Sequence, residues 1–157
     1  MKVTEIMTRN PVCCWPSSST LSAALLMQET DTGVVPVIQD HFTPRLVGVV
    51  TDRDLCLYVV AAGRDPSTSW VDQCMCQNPV CCTEQDDVSL ALDLMKRHQV
   101  RRLPVVNEKH EVVGMLSLGD VVLKAGAEEN VVAAALRSIC EPAQATKPGT
   151  ERIIRAA

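Results

Sequence analysis

Two stretches of this chain set a hydroxyl and a carboxylate at a fixed spacing. They are Gly-Val-Val-Thr-Asp-Arg-Asp at Gly48–Asp54 and Gly-Met-Leu-Ser-Leu-Gly-Asp at Gly114–Asp120. Each reads glycine, two apolar residues, Thr or Ser, two variable residues, aspartate. The apolar pair predicts a strand that ends at Thr51 or Ser117, and Asp54 or Asp120 then falls in the first turn of a helix. This arrangement suits a ribonucleotide. A carboxylate can accept hydrogen bonds from both vicinal hydroxyls of a ribose. The Thr or Ser hydroxyl can bond the ribose or a first phosphate, and free N–H groups at a helix start attract an anion. The same residue types also cap helices where no ligand binds, so the motif by itself leaves both roles open.

The other reactive side chains are eight cysteines. Asn-Pro-Val-Cys-Cys occurs twice, at Asn10–Cys14 and Asn78–Cys82, and Cys-Met-Cys stands at Cys74–Cys76. An even cysteine count indicates disulfides in a small secreted chain. The N-terminal Met-Lys-Val-Thr-Glu-Ile-Met-Thr lacks the apolar stretch of a secretory signal, so reduced thiols and a cytoplasmic location are expected. Adjacent residues of a strand point to opposite faces, so neither Cys-Cys pair can act as a two-sulfur clamp. Free cysteine otherwise behaves as a small buried hydrophobe. The cluster at Cys74–Cys82 lacks the paired spacing of structural zinc, and His98 and His110 have no spacing to cysteine that requires a metal. Both histidines are expected at solvated positions. No Ser-His-Asp set, metal triad or activated cysteine can be argued from the spacings, so no catalysis is expected. A cysteine-based redox or metal-binding protein is the weaker alternative.

The elements that must position these groups come from a duplication. A shift of 68 residues aligns Val3–Ile38 with Val71–Val106 without a gap. Two extra loop residues after Pro36 then change the shift to 66, which brings Leu-Val-Gly-Val-Val-Thr onto Val-Val-Gly-Met-Leu-Ser. Each unit reads alike: a short strand at Val-Cys-Cys, a helix, two strands joined by a turn, a second helix. Val88, Ala91, Leu92 and Met95 recur at i, i+3, i+4, i+7, one face of a helix, and Thr20, Ala23, Ala24 and Met27 take the same places in the first unit. Strands are predicted at Val34–Ile38, Leu46–Thr51, Leu103–Val106 and Val112–Ser117, with helices starting near Asp52 and Leu118. The fold class is α+β: two pseudo-twofold-related β-α-β-β-α repeats packed through their sheets, plus a C-terminal helix. The units are residues 1–63 and 71–126, joined by a connector at 64–70. A helix at 127–140 and a flexible tail at 141–157 follow, the latter broken by Pro142, Pro148 and Gly149.

The duplicated unit, the apolar-Pro pieces Val-Val-Pro-Val and Arg-Leu-Pro-Val, and the paired G-x-x-T/S-x-x-D motif together resemble a cystathionine-β-synthase (CBS) domain pair, or Bateman module. The resemblance covers residues 1–126. It implies adenosine-containing ligands bound in clefts between the repeats, each cleft built from the hydroxyl and aspartate of one repeat and the first strand and apolar-Pro loop of the other. Site one would use Thr51, Arg53 and Asp54 with Val80, Cys81, Arg101, Arg102 and Pro104. Site two would use Ser117 and Asp120 with Val12, Cys13, Gly33, Val34 and Pro36. Three arginines in site one suit a phosphorylated ligand, whereas Gly119, Gly33 and Val34 at the corresponding places predict that site two is weak, empty or takes an uncharged moiety.

The resemblance implies a regulatory ligand-sensing module that acts on an unidentified partner protein. AMP, ADP or ATP is the expected ligand, with S-adenosylmethionine or NAD as alternatives, and no cofactor is required. It also implies a homodimer, with Val131, Val132, Ala135 and Leu136 of the C-terminal helix near the interface. A dimerisation scaffold with decayed ligand sites is the competing reading, and the intact Asp54 and Asp120 speak against it. Bulk composition agrees with a ligand-binding domain. A net charge of −4 and 3% aromatic residues give little reason to bind nucleic acid, and no apolar run approaches a membrane span.

Overall fold

The computed structural model describes residues 1–126 and 129–141. In the first repeat, α1 (Val3–Ile6) and β1 (Thr8–Arg9) precede α2 (Thr20–Glu29), β2 (Val34–Ile38), β3 (Leu46–Thr51) and α3 (Asp52–Leu55). A π-helical turn at Cys56–Val60 extends α3. In the second repeat, a 3-10 turn at Val71–Gln73 replaces α1 and is followed by β4 (Cys76–Gln77), β5 (Cys82–Thr83), α4 (Val88–His98), β6 (Arg102–Val106), β7 (Val112–Ser117) and α5 (Leu118–Lys124). The last element is α6 (Glu129–Cys140). The fold is α+β, built of repeated β-α-β-β-α units packed through their sheets. The tail expected at 141–157 lies, from residue 142 onward, outside the described residues.

The two sheets have the orders β1-β7-β6-β5 and β2-β3-β4. Each repeat lends its first strand to the other repeat's sheet. Thr8 and Arg9 of β1 pair antiparallel with Met115 and Gly114 of β7, while Cys76 and Gln77 of β4 pair with Val49 and Gly48 of β3. These two exchanges are equivalent positions of the duplication, so a pseudo-twofold axis runs between the repeats. The glycine of each G-x-x-T/S-x-x-D stretch makes the exchange possible. A Cβ on Gly48 would lie 2.9 Å from the Cys76 carbonyl oxygen, and one on Gly114 would lie 3.0 Å from that of Thr8. These glycines let a foreign strand approach.

The exchanged strands lie just before the Asn-Pro-Val-Cys-Cys pieces, and the strand expected at Val-Cys-Cys is correspondingly reduced. Cys82–Thr83 pairs parallel with Val105 and Val106, and Cys14 makes only an isolated parallel bridge to Val37. The reason is local. Asn10 and Asn78 both adopt φ of 49°, in the left-handed region that asparagine tolerates better than most residues. The following proline removes a donor. The chain therefore turns at each Asn-Pro and re-enters a sheet only at the second cysteine. That cysteine is buried and its neighbour is half-buried in both repeats, as alternation along an extended segment requires.

Each repeat has its own apolar core. The first gathers Cys14, Ala23, Met27, Val35, Val37 and Val50 with Leu55, Val71 and Cys74. The second gathers Val88, Ala91, Leu92, Met95, Leu103 and Leu116, together with Ala135 and Ile139 of α6. The helical face predicted for α4 is buried throughout, but Ala24 of α2 is exposed. α6 packs on α4, and Gln99 Nε2 donates to the carbonyl oxygens of Ser138 (3.3 Å) and Glu141 (2.8 Å). Ala135 of α6 is thus a core residue rather than an interface one, while Val131 and Leu136 remain exposed.

Candidate functional site

Both hydroxyl–aspartate pairs form, and both do so as reciprocal helix caps. Thr51 closes β3 and caps α3: its Oγ1 accepts from Asp54 N at 3.1 Å, while Asp54 Oδ2 accepts from Thr51 N at 2.9 Å and Thr51 Oγ1 at 2.7 Å. Ser117 closes β7 and caps α5 in the same way, with Asp120 Oδ2 accepting from Ser117 N at 2.9 Å and from Ser117 Oγ at 2.6 Å. In both aspartates Oδ2 serves the cap, and in Asp120 the other oxygen, Oδ1, takes Lys124.

The environments of the two aspartates then diverge. Asp54 is 5% exposed and Thr51 1%. Burial pushes the Asp54 carboxyl above its ordinary value, only partly opposed by the Thr51 hydrogen bonds. Asp120 is less enclosed. Burial again pulls its pKa upward, but the Lys124 and Ser117 hydrogen bonds outweigh it and hold the carboxyl below the ordinary range. Lys124 Nζ lies 2.7 Å from Asp120 Oδ1 and donates to the Ile6 carbonyl oxygen at 3.0 Å. Tyr58 occupies the equivalent place in the first repeat and instead stacks on Arg64, 3.8 Å from its ring centre.

A cleft of about 390 Å³ opens beside Ser117 and Asp120. It is of the size that small-molecule sites occupy. Val12, Val34 and Pro36 form its apolar side. Five of the seven residues expected in site two thus come together. The other two point elsewhere: the Cys13 thiol bonds the Pro11 carbonyl at 3.4 Å, and Gly33 abuts Asp52, whose N–H donates to the Gly33 carbonyl at 3.0 Å. Thr30, Asp31 and Thr32, the loop after α2, also line the cleft, as does Arg102.

The pseudo-equivalent cavity is about 40 Å³, room for little more than a water. Val80, Arg102 and Pro104 line it, as expected for site one. Thr51, Arg53, Asp54, Cys81 and Arg101 do not. Arg53 and Arg101 are exposed, and Arg101 contributes a backbone carbonyl that accepts from Leu118 N at 2.8 Å. His98 and Val100 stand where the larger cleft has Thr30 and Thr32, and their greater bulk fills the space. His98 is therefore a half-buried wall residue rather than a solvated one, and His110 is half-buried as well. The loop after each first helix is the part of the site that sequence reasoning missed. Its signal was available in the repeat: Thr30-Asp31-Thr32 aligns with His98-Gln99-Val100 at the same shift that aligns the motifs.

Five of the eight thiols sit where burial disfavours the thiolate. Burial pushes Cys13 and Cys74 up to about 11 and Cys14 and Cys82 up to about 12, and it raises Cys81 too. Protonated thiols of this kind are poor nucleophiles and poor metal ligands. Among the described residues no group of three or more His, Cys, Asp or Glu side chains could hold a metal ion, and no helix is long and apolar enough to cross a membrane.

Paired repeats with exchanged first strands, a hydroxyl–aspartate cap in each repeat and apolar-Pro strands beside the cavities define the class, and the sequence matches it directly. The chain belongs to the CBS domain family, over residues 3–61 and 71–125. It is 34% identical over 140 residues to the uncharacterized protein YlbB of Bacillus subtilis, covering 89% of this chain and 92% of that one. Among solved structures it is similar to Hypoxic Response Protein I with two coordinated zinc ions (TM-score 0.71, 31% identity, 79% of this chain and 98% of that one). It is likewise similar to CBSX2 in complex with AMP (TM-score 0.67, 30% identity, 79% of this chain and 95% of that one).

Proposed function

We propose that this chain is a regulatory module without catalysis of its own, and that it senses an adenosine-containing ligand in the larger cleft and passes the signal to a partner protein. The observation that carries the reading is the Ser117–Asp120 cap on the wall of a cleft of about 390 Å³. Asp120 Oδ1 stands available to ribose hydroxyls once Lys124 yields it. Val12, Val34 and Pro36 offer the apolar sides that a base requires. The AMP complex of CBSX2 supports the class of ligand. AMP, ADP or ATP is the first choice, with S-adenosylmethionine or NAD as the alternative.

The cleft takes its walls from both repeats, so a ligand that bridges them binds one inter-repeat angle better than another. That differential affinity is what shifts a conformational equilibrium. The small cavity at the other motif favours a structural role for Thr51 and Asp54, and one working site per chain.

Thermal unfolding with each of the five ligands tests the reading. A ligand at ~100 times its dissociation constant adds about 2.7 kcal/mol of stability. We expect a clear upward shift with an adenosine ligand, abolished in Asp120→Asn. No shift with any of them at millimolar concentration would leave a dimerisation scaffold as the function.

A further inference from the structure

Lys124 is the last residue of α5, one helical turn beyond Asp120, and its ammonium has two partners. Nζ lies 2.7 Å from Asp120 Oδ1 and donates to the Ile6 carbonyl oxygen at 3.0 Å. The first contact stays within one helix. The second spans 118 positions of the chain and reaches the other repeat. Ile6 closes α1, and β1, the strand lent to the second sheet, begins two residues later. One side chain thus joins the aspartate of the larger cleft to the segment through which the first repeat enters the second sheet.

The carboxylate leaves little room for a further donor. An ionised carboxylate accepts at about four lone-pair positions. Ser117 N and Ser117 Oγ take two at Oδ2, and Lys124 takes one at Oδ1. Ribose presents two vicinal hydroxyls, so both are accepted only if the ammonium withdraws from Oδ1. Withdrawal is open to it: the Lys124 side chain is 48% exposed, and water can receive the charge. The equivalent residue of the first repeat is Tyr58, which is uncharged and stacks on Arg64.

We infer that Lys124 is an autoinhibitory latch of the larger cleft: it occupies the aspartate oxygen that a ribose needs, and its displacement by a ligand releases the Ile6 carbonyl at the entry to β1. The inference rests on the adenosine reading given above and names the regulation of that same site. With Asp120 Oδ1 taken by a ligand, the ammonium loses the charge partner that holds it against α1. Occupancy of the cleft and the grip on the exchanged strand therefore draw on one side chain, which makes them coupled. A strap that only tied α5 to α1 would behave differently. Cutting it would weaken the fold and leave the affinity for a neutral ligand unchanged or lower.

Titration calorimetry of the full chain with adenosine at neutral pH, in low and in high salt, tests this. Adenosine is uncharged, so salt acts on its affinity only through the ion pair it displaces. The wild type should bind it more tightly in high salt, which screens the Lys124–Asp120 pair; this arm needs no variant. Lys124→Met should bind adenosine about 2- to 5-fold more tightly than the wild type in low salt, the range of one exposed ion pair, and should lose the salt dependence. Lys124→Arg should stay within about twofold of the wild type, because the charge remains. The amide nitrogen shift of Met7, which shares a peptide group with the Ile6 carbonyl, reads the other end of the latch. Adenosine should move it in the wild type and not in Lys124→Met. Affinity unchanged or weakened in Lys124→Met, equal salt dependence in the two proteins, or a Met7 shift of equal size in both would overturn the inference and leave the adenosine reading intact. If neither protein binds adenosine, the latch is overturned, and thermal unfolding with the five ligands decides the adenosine reading separately.

Discussion

Asp120 performs two jobs with its two oxygens, and the division can be measured. Oδ2 closes the cap on α5, and Oδ1 pairs with Lys124. Its carboxyl is held below the ordinary value of 3.8, mainly because those partners outweigh the cost of burial. A folded-state pKa below the unfolded one contributes stability that is present above the unfolded value and lost as pH falls through the folded one. Asp54 runs the other way: its raised pKa means that its charge costs stability above the folded value, a cost relieved on acidification. Asp120→Asn keeps an acceptor for the cap and removes the ion pair, so it should cost about 0.5–1 kcal/mol at neutral pH, the range of an exposed pair. That difference should shrink as pH falls below 4. Denaturant unfolding of both proteins at pH 7 and pH 3.5 checks this, and a difference independent of pH would show that Lys124 contributes nothing to stability through Asp120.

At the level of elements, α6 makes the two repeats unequal. It lays Ala135 and Ile139 into the second core and covers α4. No described element does this for α2, whose Leu21 and Leu25 are exposed one turn apart, as are Leu57 and Val60 of the π-helical turn. This uncovered first-repeat face is the one a second copy of the chain would cover. On that expectation Leu25→Lys should lower the mass of the chain in light scattering, and a mass unchanged by the substitution would move any self-association to the exposed side of α6, where Val131 and Leu136 lie. The element order was legible in the sequence because hydrophobic period and turn residues are local signals. The helical face of α4 and the strands ending at Thr51 and Ser117 follow from them. The destination of β1 and β4 was not legible, since two-residue strands carry no period and their pairing depends on a glycine nearly thirty residues away in one case and more than a hundred in the other. The site split along the same line. Ser117, Asp120, Val12, Pro36 and Arg102, which line the larger cleft, were all named from repeated motifs, whereas the placing of Arg102 opposite Ser117 required the register of β6 against β7.

For the whole molecule, exchanged strands join the repeats into one cooperative unit. β1 completes the second sheet, and β4 completes the first. Neither half holds a full sheet by itself, so a cut in the connector at 64–70 should not yield two folded domains. We expect a single calorimetric transition for the intact chain, with calorimetric and van't Hoff enthalpies in agreement. We also expect poorly dispersed amide resonances for residues 1–63 expressed alone. Two transitions, or a dispersed spectrum from the isolated half, would show that the exchange is ornamental to stability.

The exchange also sets a schedule for synthesis. Thr8 and Arg9 leave the ribosome early, but the β7 residues that receive them, Gly114 and Met115, are made more than a hundred residues later. At a translation rate of ~5–20 residues per second, β1 waits about 5–20 s for its partner. Through that interval the first repeat must hold its apolar residues without a finished fold, and the edge of β3 waits for β4 as well. The duplication thus ties the finishing of the first-made repeat's neighbour sheet to the last strand made, so the order of synthesis and the order of pairing run opposite ways.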